Sequence, residues 1–370
     1  MSRPLGLRTW VEVSLPALAH NYQIFRKLIG PKVKLMAVVK SNAYGHGLIG
    51  CSQYLEKLGV DWLGVDSVVE GTHLRQKGVK KPILVLGYTL PERIKEAYKF
   101  NLTITISTFD QLTALKKLYP KIPKFHLKID TVMHRQGFLP GQTKELIDTL
   151  KRDFSPQFIG GIYTHLAAPE NPKFKLATLK QLEIFDLVCE AFKQNNFSLL
   201  RHVGATGGTV AFPKHRFDLV RVGIGLYGFL PGSAQNLDLK EVLSWKTVVG
   251  EVKAVKKGEH VGYGFTEKLE RDSKLDICPI GYWHGYSRLL SGRSYAIIRG
   301  QLVRIVGRVS MDMVVFDVTK VSEVAPGEEV TLIGEQGVKK VSAVELAHIS
   351  KTIPYEFLTR LNPLMKRLYA

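Results

Sequence analysis

The apolar and polar positions of the chain follow two regimes. Up to about residue 232, short apolar runs alternate with stretches of helical spacing. The runs are Val33–Lys40, Trp62–Val65, Ile83–Gly87, Thr103–Ile106, Phe125–Ile129, Ile159–Thr164, Leu199–Val203 and Asp218–Ile224. Helical patterns cover Pro16–Leu28, Cys51–Leu58, Val68–Lys77, Glu92–Phe100, Phe109–Leu118, Thr143–Arg152 and Leu176–Phe192. Short apolar runs bounded by turn residues read as strands buried on both faces, and strand–helix alternation implies a parallel sheet. Eight such units within about two hundred residues predict a closed (β/α)8 TIM-type barrel. An open doubly wound sheet is the alternative, with a usual count of about six strands. The link between the seventh and eighth runs is short and contains Pro213, so it predicts the weakest helix.

Beyond Gly232 the helical rhythm stops. Ser233–Asn236 is polar and linker-like. Val248–Val255, Leu275–Ile280, Ser294–Arg299, Val303–Val306, Met313–Val318 and Glu329–Ile333 then read as strands separated by Gly, Asp, Lys and Pro, with one late helix at Ala343–Ser350. The expected division is a barrel over residues 1–239 and a mostly β domain over 240–370, with residues 1–14 as candidates to pair with the second domain.

Composition narrows the function classes. The chain has 370 residues, 45% of them apolar, enough for two packed cores. Lys and Arg exceed Asp and Glu by 52 − 33 = 19, which raises nucleic acid or acidic membrane as partners. The basic residues are spread out, however. The densest run, Lys116–Lys128, interleaves lysines with apolar positions and reads as a helix end leading into a strand. Three distant cysteines, Cys51, Cys189 and Cys278, suggest neither disulfides nor a zinc site, and no metal is expected. No signal-peptide pattern opens the sequence and no stretch is long enough to span a membrane, so a cytoplasmic setting is expected.

Candidate chemistry is sought at the C-terminal ends of the barrel strands. Lys40 closes the first run, and burial there would lower its pKa and suit it to act as a nucleophile or base. The other reading is a lysine that has reached solvent. The remaining ends carry Gly87-Tyr88, Lys128 with Asp130 and Arg135, His165, Ala205-Thr206-Gly207-Gly208, and Arg221 with Gly223-Ile224-Gly225. Glycine-rich turns after the last two strands suit a phosphate, and a phosphate opposite a reactive lysine suggests pyridoxal 5′-phosphate. Gly223–Gly228 also fits G-x-G-x-x-G, but Phe229-Leu-Pro-Gly follows where a helix should open, so a dinucleotide site is not expected.

These residues lie in stretches that resemble the alanine racemase family over essentially the whole chain. The stretches are AVVKSNAYGHG (37–47), KIDTVMHRQG (128–137), YTHLA (163–167), FDLVRVGIGLYG (217–228), VGYGFT (261–266), GYWHGYSR (281–288), GRVSMDM (307–313) and IPYE (353–356). The resemblance implies a pyridoxal-phosphate-dependent isomerase that interconverts L- and D-alanine, supplying D-alanine for cell-wall peptidoglycan. It implies that Lys40 holds the cofactor and acts as one base. Tyr263, delivered to the partner subunit of a homodimer, would be the other. Arg221 would face the pyridine nitrogen, with His165 linking Arg221 and Tyr263. Tyr44, Thr206, Gly223, Ile224 and Tyr355 would hold the phosphate. Arg135 and the backbone at Met311 would hold the substrate carboxylate, and Tyr282 would narrow the entrance. Lys128 matches a lysine that is carbamylated in some members.

Two bases on opposite faces of the α-carbon can remove and return its proton without turning the substrate. A tyrosine base needs cationic neighbours, since it ordinarily titrates near pH ~10, and the His165–Arg221 pair is a candidate source. Arginine cannot surrender its proton, so it would keep the ring nitrogen unprotonated and disfavour transamination. On that argument Arg221→Glu should raise transamination. Read singly, His165 is a core histidine, Tyr263 a turn aromatic, Met311 core filler and Arg221 a partner of Asp218 or another carboxylate.

The chain departs from the family pattern at four positions. Val132 replaces the usual glycine of DTGM, Ala205 the Asn of Asn-Ser, and Trp283 and His284 the third and fourth residues of GYADG. They bear on affinity and substrate size. Competing expectations are a racemase for serine or lysine, a decarboxylase on the same architecture, a non-catalytic cofactor-binding protein, and a nucleic-acid binder suggested by charge. An acidic residue expected at the ring nitrogen, absent here, weighs against the decarboxylase. The β domain and Tyr263 weigh against the non-catalytic binder.

Overall fold

A computed structural model describes residues 6–232 and 237–370. The linker-like Ser233–Asn236 lies outside them. The described residues divide into two units, one of residues 16–43, 48–232 and 237–241, the other of residues 6–15, 44–47 and 242–370.

The first unit is a closed barrel of eight parallel strands. In order they are Lys34–Val38, Trp62–Val65, Ile83–Tyr88, Thr103–Ile106, Phe125–Lys128, Ile159–Tyr163, Leu200–His202 and Leu219–Val222. Closure is made by the first and eighth, where Lys34 pairs with Leu219 and Ala37 with Val222. Every residue of the fourth, fifth and eighth strands is buried, the polar Thr103, Thr105, His126, Lys128 and Arg221 included. Helices follow the strands where expected. Two begin at hydroxyl caps: Ser67 Oγ accepts from Glu70 N at 3.3 Å, and Thr108 Oγ1 from Gln111 N at 3.3 Å. The helix after the seventh strand is the short one, Thr206–Ala211.

The first run is shorter than its apolar pattern. The strand ends at Val38, and Lys40 opens a turn over Lys40–Tyr44 instead of closing the strand. Ser41, Asn42, Ala43 and Tyr44 have φ of 55°, 56°, 51° and 53°. A left-handed turn of non-glycine residues costs roughly 1–2 kcal/mol per residue. Local bonds hold it: Ala43 N donates to Val39 O at 2.8 Å and Leu48 N to Asn42 Oδ1 at 2.8 Å.

The second unit is built on a ten-stranded sheet. Thr9–Val13 pairs antiparallel with Leu243–Val248 and parallel with Lys366–Tyr369. The run read as one strand, Val248–Val255, is two: Leu243–Val248 and Glu251–Val255. The break falls at Gly250, where a Cβ would lie 2.7 Å from Ile277 O. A separate two-stranded ribbon, His260–Val261 with Glu267–Lys268, carries the Tyr263 turn between its strands. Among the described residues no helix is long and apolar enough to cross a membrane.

Candidate active site

The ends of the barrel strands gather four cations. Lys128, at the end of the fifth strand, is buried, and burial together with the positive fields of Arg135, Arg221 and Lys40 lowers its pKa to about 8 against the pull of Asp130. Its Nζ donates to Gln136 Oε1 at 3.2 Å and lies 5.5 Å from the Tyr163 ring centroid. The same four cations act on His165, which burial first and then Arg221 push down to about 3. His165 is therefore neutral at neutral pH, and the positive charge of the His165–Arg221 pair rests on Arg221 alone. This corrects the reading of His165 as a cationic neighbour.

Lys40 is not desolvated, as its place after a buried run suggested. Its side chain is 37% exposed, and Nζ pairs with Asp66 Oδ1 at 2.9 Å. Asp66 follows the second strand directly. Glu70 ties the two strand ends together, its Oε1 accepting from Ser41 N at 2.7 Å and its Oε2 from Asp66 N at 2.8 Å. Neither carboxylate was picked out from the sequence. Ser67-x-x-Glu70 looks there like an ordinary helix start, and Asp66 like a turn residue.

Arg221 is buried on the eighth strand and makes five hydrogen bonds, none to a carboxylate. Nη1 reaches His202 Nδ1 at 2.8 Å and His202 O at 3.1 Å. Nη2 reaches Thr164 O at 2.8 Å, Val203 O at 2.8 Å and His165 Nδ1 at 3.3 Å. None uses Nε. Burial lowers its pKa to about 10, so the guanidinium stays charged at neutral pH. Asp218 is not its partner; that carboxylate pairs with Arg201 at 3.1 Å.

Thr206 and Ile224 each open a short helical turn, after the seventh and eighth strands respectively. The residues before them, Ala205 and Gly223, give no side-chain cap. Thr206 Oγ1 accepts from Gly223 N at 3.2 Å and Gly225 N at 3.3 Å, which joins the two turns. Gly225 lies against Phe25 and Thr206, where a Cβ would approach within 2.5 Å and 2.7 Å. The G-x-G-x-x-G match thus serves a four-residue turn, Ile224–Tyr227, rather than a nucleotide-binding helix. Exposed Arg135 lies on a loop organised by Asp130, whose carboxylate accepts from the backbone N–H of Val132, His134 and Arg135 at 3.1, 2.9 and 2.9 Å.

The other candidates belong to the second unit. Tyr44 and Tyr355 meet edge to face with ring centroids 6.0 Å apart. Tyr282 and Met311 lie on two segments joined by Tyr282 N to Ser310 O and Trp283 N to Met311 O, both 3.0 Å. His284 is buried, and its Nδ1 accepts from Gly281 N at 3.2 Å, closing its own turn as a carboxylate would. Tyr263 is 69% exposed between Gly262 and Gly264, with φ of 75° and 73°.

The family profile described as Alanine racemase, N-terminal domain, matches residues 13–231, and Alanine racemase, C-terminal domain, matches residues 242–369. The chain belongs to the alanine racemase family. It is thereby an amino-acid racemase, an isomerase. It is 35% identical to alanine racemase of Halothermothrix orenii, over 100% of this chain and 98% of the relative. It is 33% identical to alanine racemase of Methanococcus maripaludis, over 97% and 98% of the two chains. Among solved structures, alanine racemase of Bacillus anthracis with bound L-Ala-P is 31% identical, with a TM-score of 0.92 over 100% of this chain and 96% of that one. Alanine racemase of Clostridium difficile has a TM-score of 0.93 at 29% identity, covering 99% and 97%.

Proposed function

We propose that this member of the family racemises alanine with pyridoxal 5′-phosphate, using Lys40 and the Tyr263 of a second subunit as opposed bases. The observation that carries the reading is the donor set of the barrel. Two adjoining turns start without a cap from the residue before them, and Thr206 Oγ1 ties Gly223 N and Gly225 N of the second to the first, a small cluster of backbone N–H groups that suits a phosphate. Arg221 leaves Nε outside all five of its bonds, which suits a ring nitrogen that accepts. Lys40 supplies an amine at the start of the turn that follows the first strand, which pairs with the eighth strand that carries Arg221. The residues fit the cofactor.

When bound, the cofactor would supply the electron sink that acidifies the substrate α-proton. The protein supplies the rest. Thr206, Gly223 and Ile224 hold the phosphate from the barrel, and Tyr44 and Tyr355 add their hydroxyls. Arg221 donates to the ring nitrogen and, being unable to give up that proton, keeps the sink weak. Arg135 and the Met311 backbone orient the substrate carboxylate. Lys40 Nζ moves a proton on one face and Tyr263 Oη on the other. His165 takes a hydrogen bond from Arg221 at Nδ1, which leaves Nε2–H to donate towards Tyr263. Lys128, with its lowered pKa, is the amine available for carbamylation.

The reading requires a homodimer. Tyr263, Phe265, Met311 and Met313 are all exposed on the second unit, a set of large apolar side chains suited to burial against another copy. The wider role is D-alanine supply for peptidoglycan in the cytoplasm.

The test is proton NMR of L-alanine in deuterium oxide with the protein and cofactor, followed by chiral analysis. Loss of the α-proton signal with D-alanine appearing is the expected result. Exchange without inversion would mean that Tyr263 is not the second base. No exchange with alanine, and exchange with serine or lysine, would move the assignment to another amino acid.

A further inference from the structure

Beneath the proposed site runs a buried line of polar groups that the reaction does not use. His126 on the fifth strand and His202 on the seventh are both fully buried. His202 Nδ1 meets Arg221 Nη1 at 2.8 Å, and His202 Nε2 meets His126 Nδ1 at 2.9 Å. His126 Nε2 is buried with no partner among the described residues.

A guanidinium only donates, and this decides every proton along the line. Both rings are neutral: burial, reinforced by the charge of Arg221, pushes His126 down to about 3 and His202 well below its ordinary value. His202 must therefore accept at Nδ1 and carry its proton on Nε2. His126 must accept that proton's bond at Nδ1 and carry its own on Nε2, where it goes unmet. An unmet buried donor costs roughly 1–3 kcal/mol, so a histidine is a poor choice if only the volume of a ring is needed.

The sixth strand is cut to admit this ring. A Cβ on Gly160 would lie 3.1 Å from His126 Nε2, and one on Gly161 would lie 2.8 Å from both Nδ1 and Cε1. Trp62 and His202 close the other sides, with ring centroids 5.3 and 5.1 Å from His126. Tyr163 stacks on His202 at 4.5 Å with the rings 8° from parallel. The stacking fixes the plane of His202 but leaves its edge to be chosen by hydrogen bonds.

We propose that His126 is a positioning residue for Arg221: by accepting the Nε2 proton of His202 it holds His202 as an acceptor towards Nη1, and so aims Nε at the cofactor ring nitrogen. Without an acceptor at 126, His202 would gain by turning its ring or moving its proton to Nδ1. The first sets a C–H and the second an N–H against the guanidinium, and either removes its acceptor. The last clause of the proposal rests on the cofactor reading above; the line of protons does not.

Two variants separate hydrogen bonding from packing. His126→Asn puts Oδ1 where Nδ1 was, but it exchanges the unmet Nε2–H for an amide NH2 and loses ring volume. His126→Phe keeps the ring and has no acceptor. The full-length protein, labelled with 15N at histidine, is measured without cofactor and after loading with pyridoxal phosphate. Cofactor affinity is taken from its visible absorbance. In the wild type, His202 should show an unprotonated Nδ1 and a protonated Nε2. His126→Asn should keep that signature and bind the cofactor within about twofold of wild type. His126→Phe should lose the signature and bind about tenfold more weakly, the ratio expected for one unmet buried partner. The reverse order, with Phe intact and Asn impaired, would show that the ring only fills space and would overturn the proposal. So would two variants that both match the wild type. If neither variant folds, the wild-type spectrum decides: a protonated Nδ1 on His202 or on His126 removes the line of protons. Absence of racemisation with the His202 signature present would count against the function proposed above and leave this inference standing.

Discussion

Val132 gives the sharpest test of the local physics. Its φ is 112°, in the region that favours glycine, and its side chain is 51% exposed. A β-branched residue there is strained by about 1–3 kcal/mol. Val132→Gly removes the strain. It also costs about 0.5–1 kcal/mol of backbone entropy and loses the half-buried methyl groups, worth about 1 kcal/mol. The net change from valine is therefore small. Val132→Ala loses those methyl groups too, but keeps a Cβ at the same φ and so keeps the strain. Subtracting one variant from the other removes the burial contribution. Glycine should exceed alanine by about 0.5–2 kcal/mol, the reverse of the usual order. Urea or thermal midpoints of the three proteins, at fixed protein and cofactor concentration, give the comparison, because cofactor and subunit binding enter both variants alike. A midpoint for alanine equal to or above that for glycine would refute the reasoning.

Three further outcomes follow from buried groups. His126 titrates near 3 in the folded chain against 6.5 when free, so below pH 6.5 the unfolded chain binds the extra proton and stability falls with pH. That is about 2 kcal/mol between pH 7 and 5, and urea midpoints of His126→Asn should show a drop smaller by that amount. Asp276 is raised by burial to about 7, with one carboxylate oxygen unpartnered, so the folded chain binds more protons between 3.8 and 7 and loses stability as pH rises through that window. Asp276→Asn should raise the thermal midpoint at pH 8 and lose that advantage near pH 4, whereas an equal gain at both would rule out ionisation as the cause. Thr206→Val leaves the backbone N–H of Gly223 and Gly225 without their acceptor and should weaken pyridoxal phosphate by about tenfold, with Thr206→Ser restoring it, as read by cofactor titration.

The barrel was legible because its strands are short, largely apolar and bounded by turn residues, with a helical pattern after almost every one. Trp62–Val65 and Thr103–Ile106 match the expectation residue for residue. The second unit was less legible, for the opposite reason. Its short strands end where a neighbouring backbone comes close, as at Gly250, and hydropathy does not record such an approach. Glu251–Val255 has no fully buried residue, so nothing in its pattern sets it apart from the strand before it.

The site divides along the same line. Lys40, Arg221 and Thr206 could be placed from the sequence because strand ends and glycine-rich turns announce them. What surrounds Arg221 could not, and it changes the chemistry that can be tested there. Read from the sequence, Arg221→Glu exchanges one partner of a ring nitrogen for another. In the structure the guanidinium donates to the carbonyl oxygens of Thr164, His202 and Val203 and to two histidine nitrogens that accept. A carboxylate in that place would face five acceptors, and its failure would report on folding rather than on transamination. Arg221→Lys keeps the charge and gives up the planar fork. It therefore asks the intended question: whether a weak electron sink depends on a guanidinium held at one angle. His126 belongs to that question, because a histidine inside an apolar strand carries no sign in the sequence of which neighbour it serves. Only the direction of donation along the line from Arg221 assigns it a part.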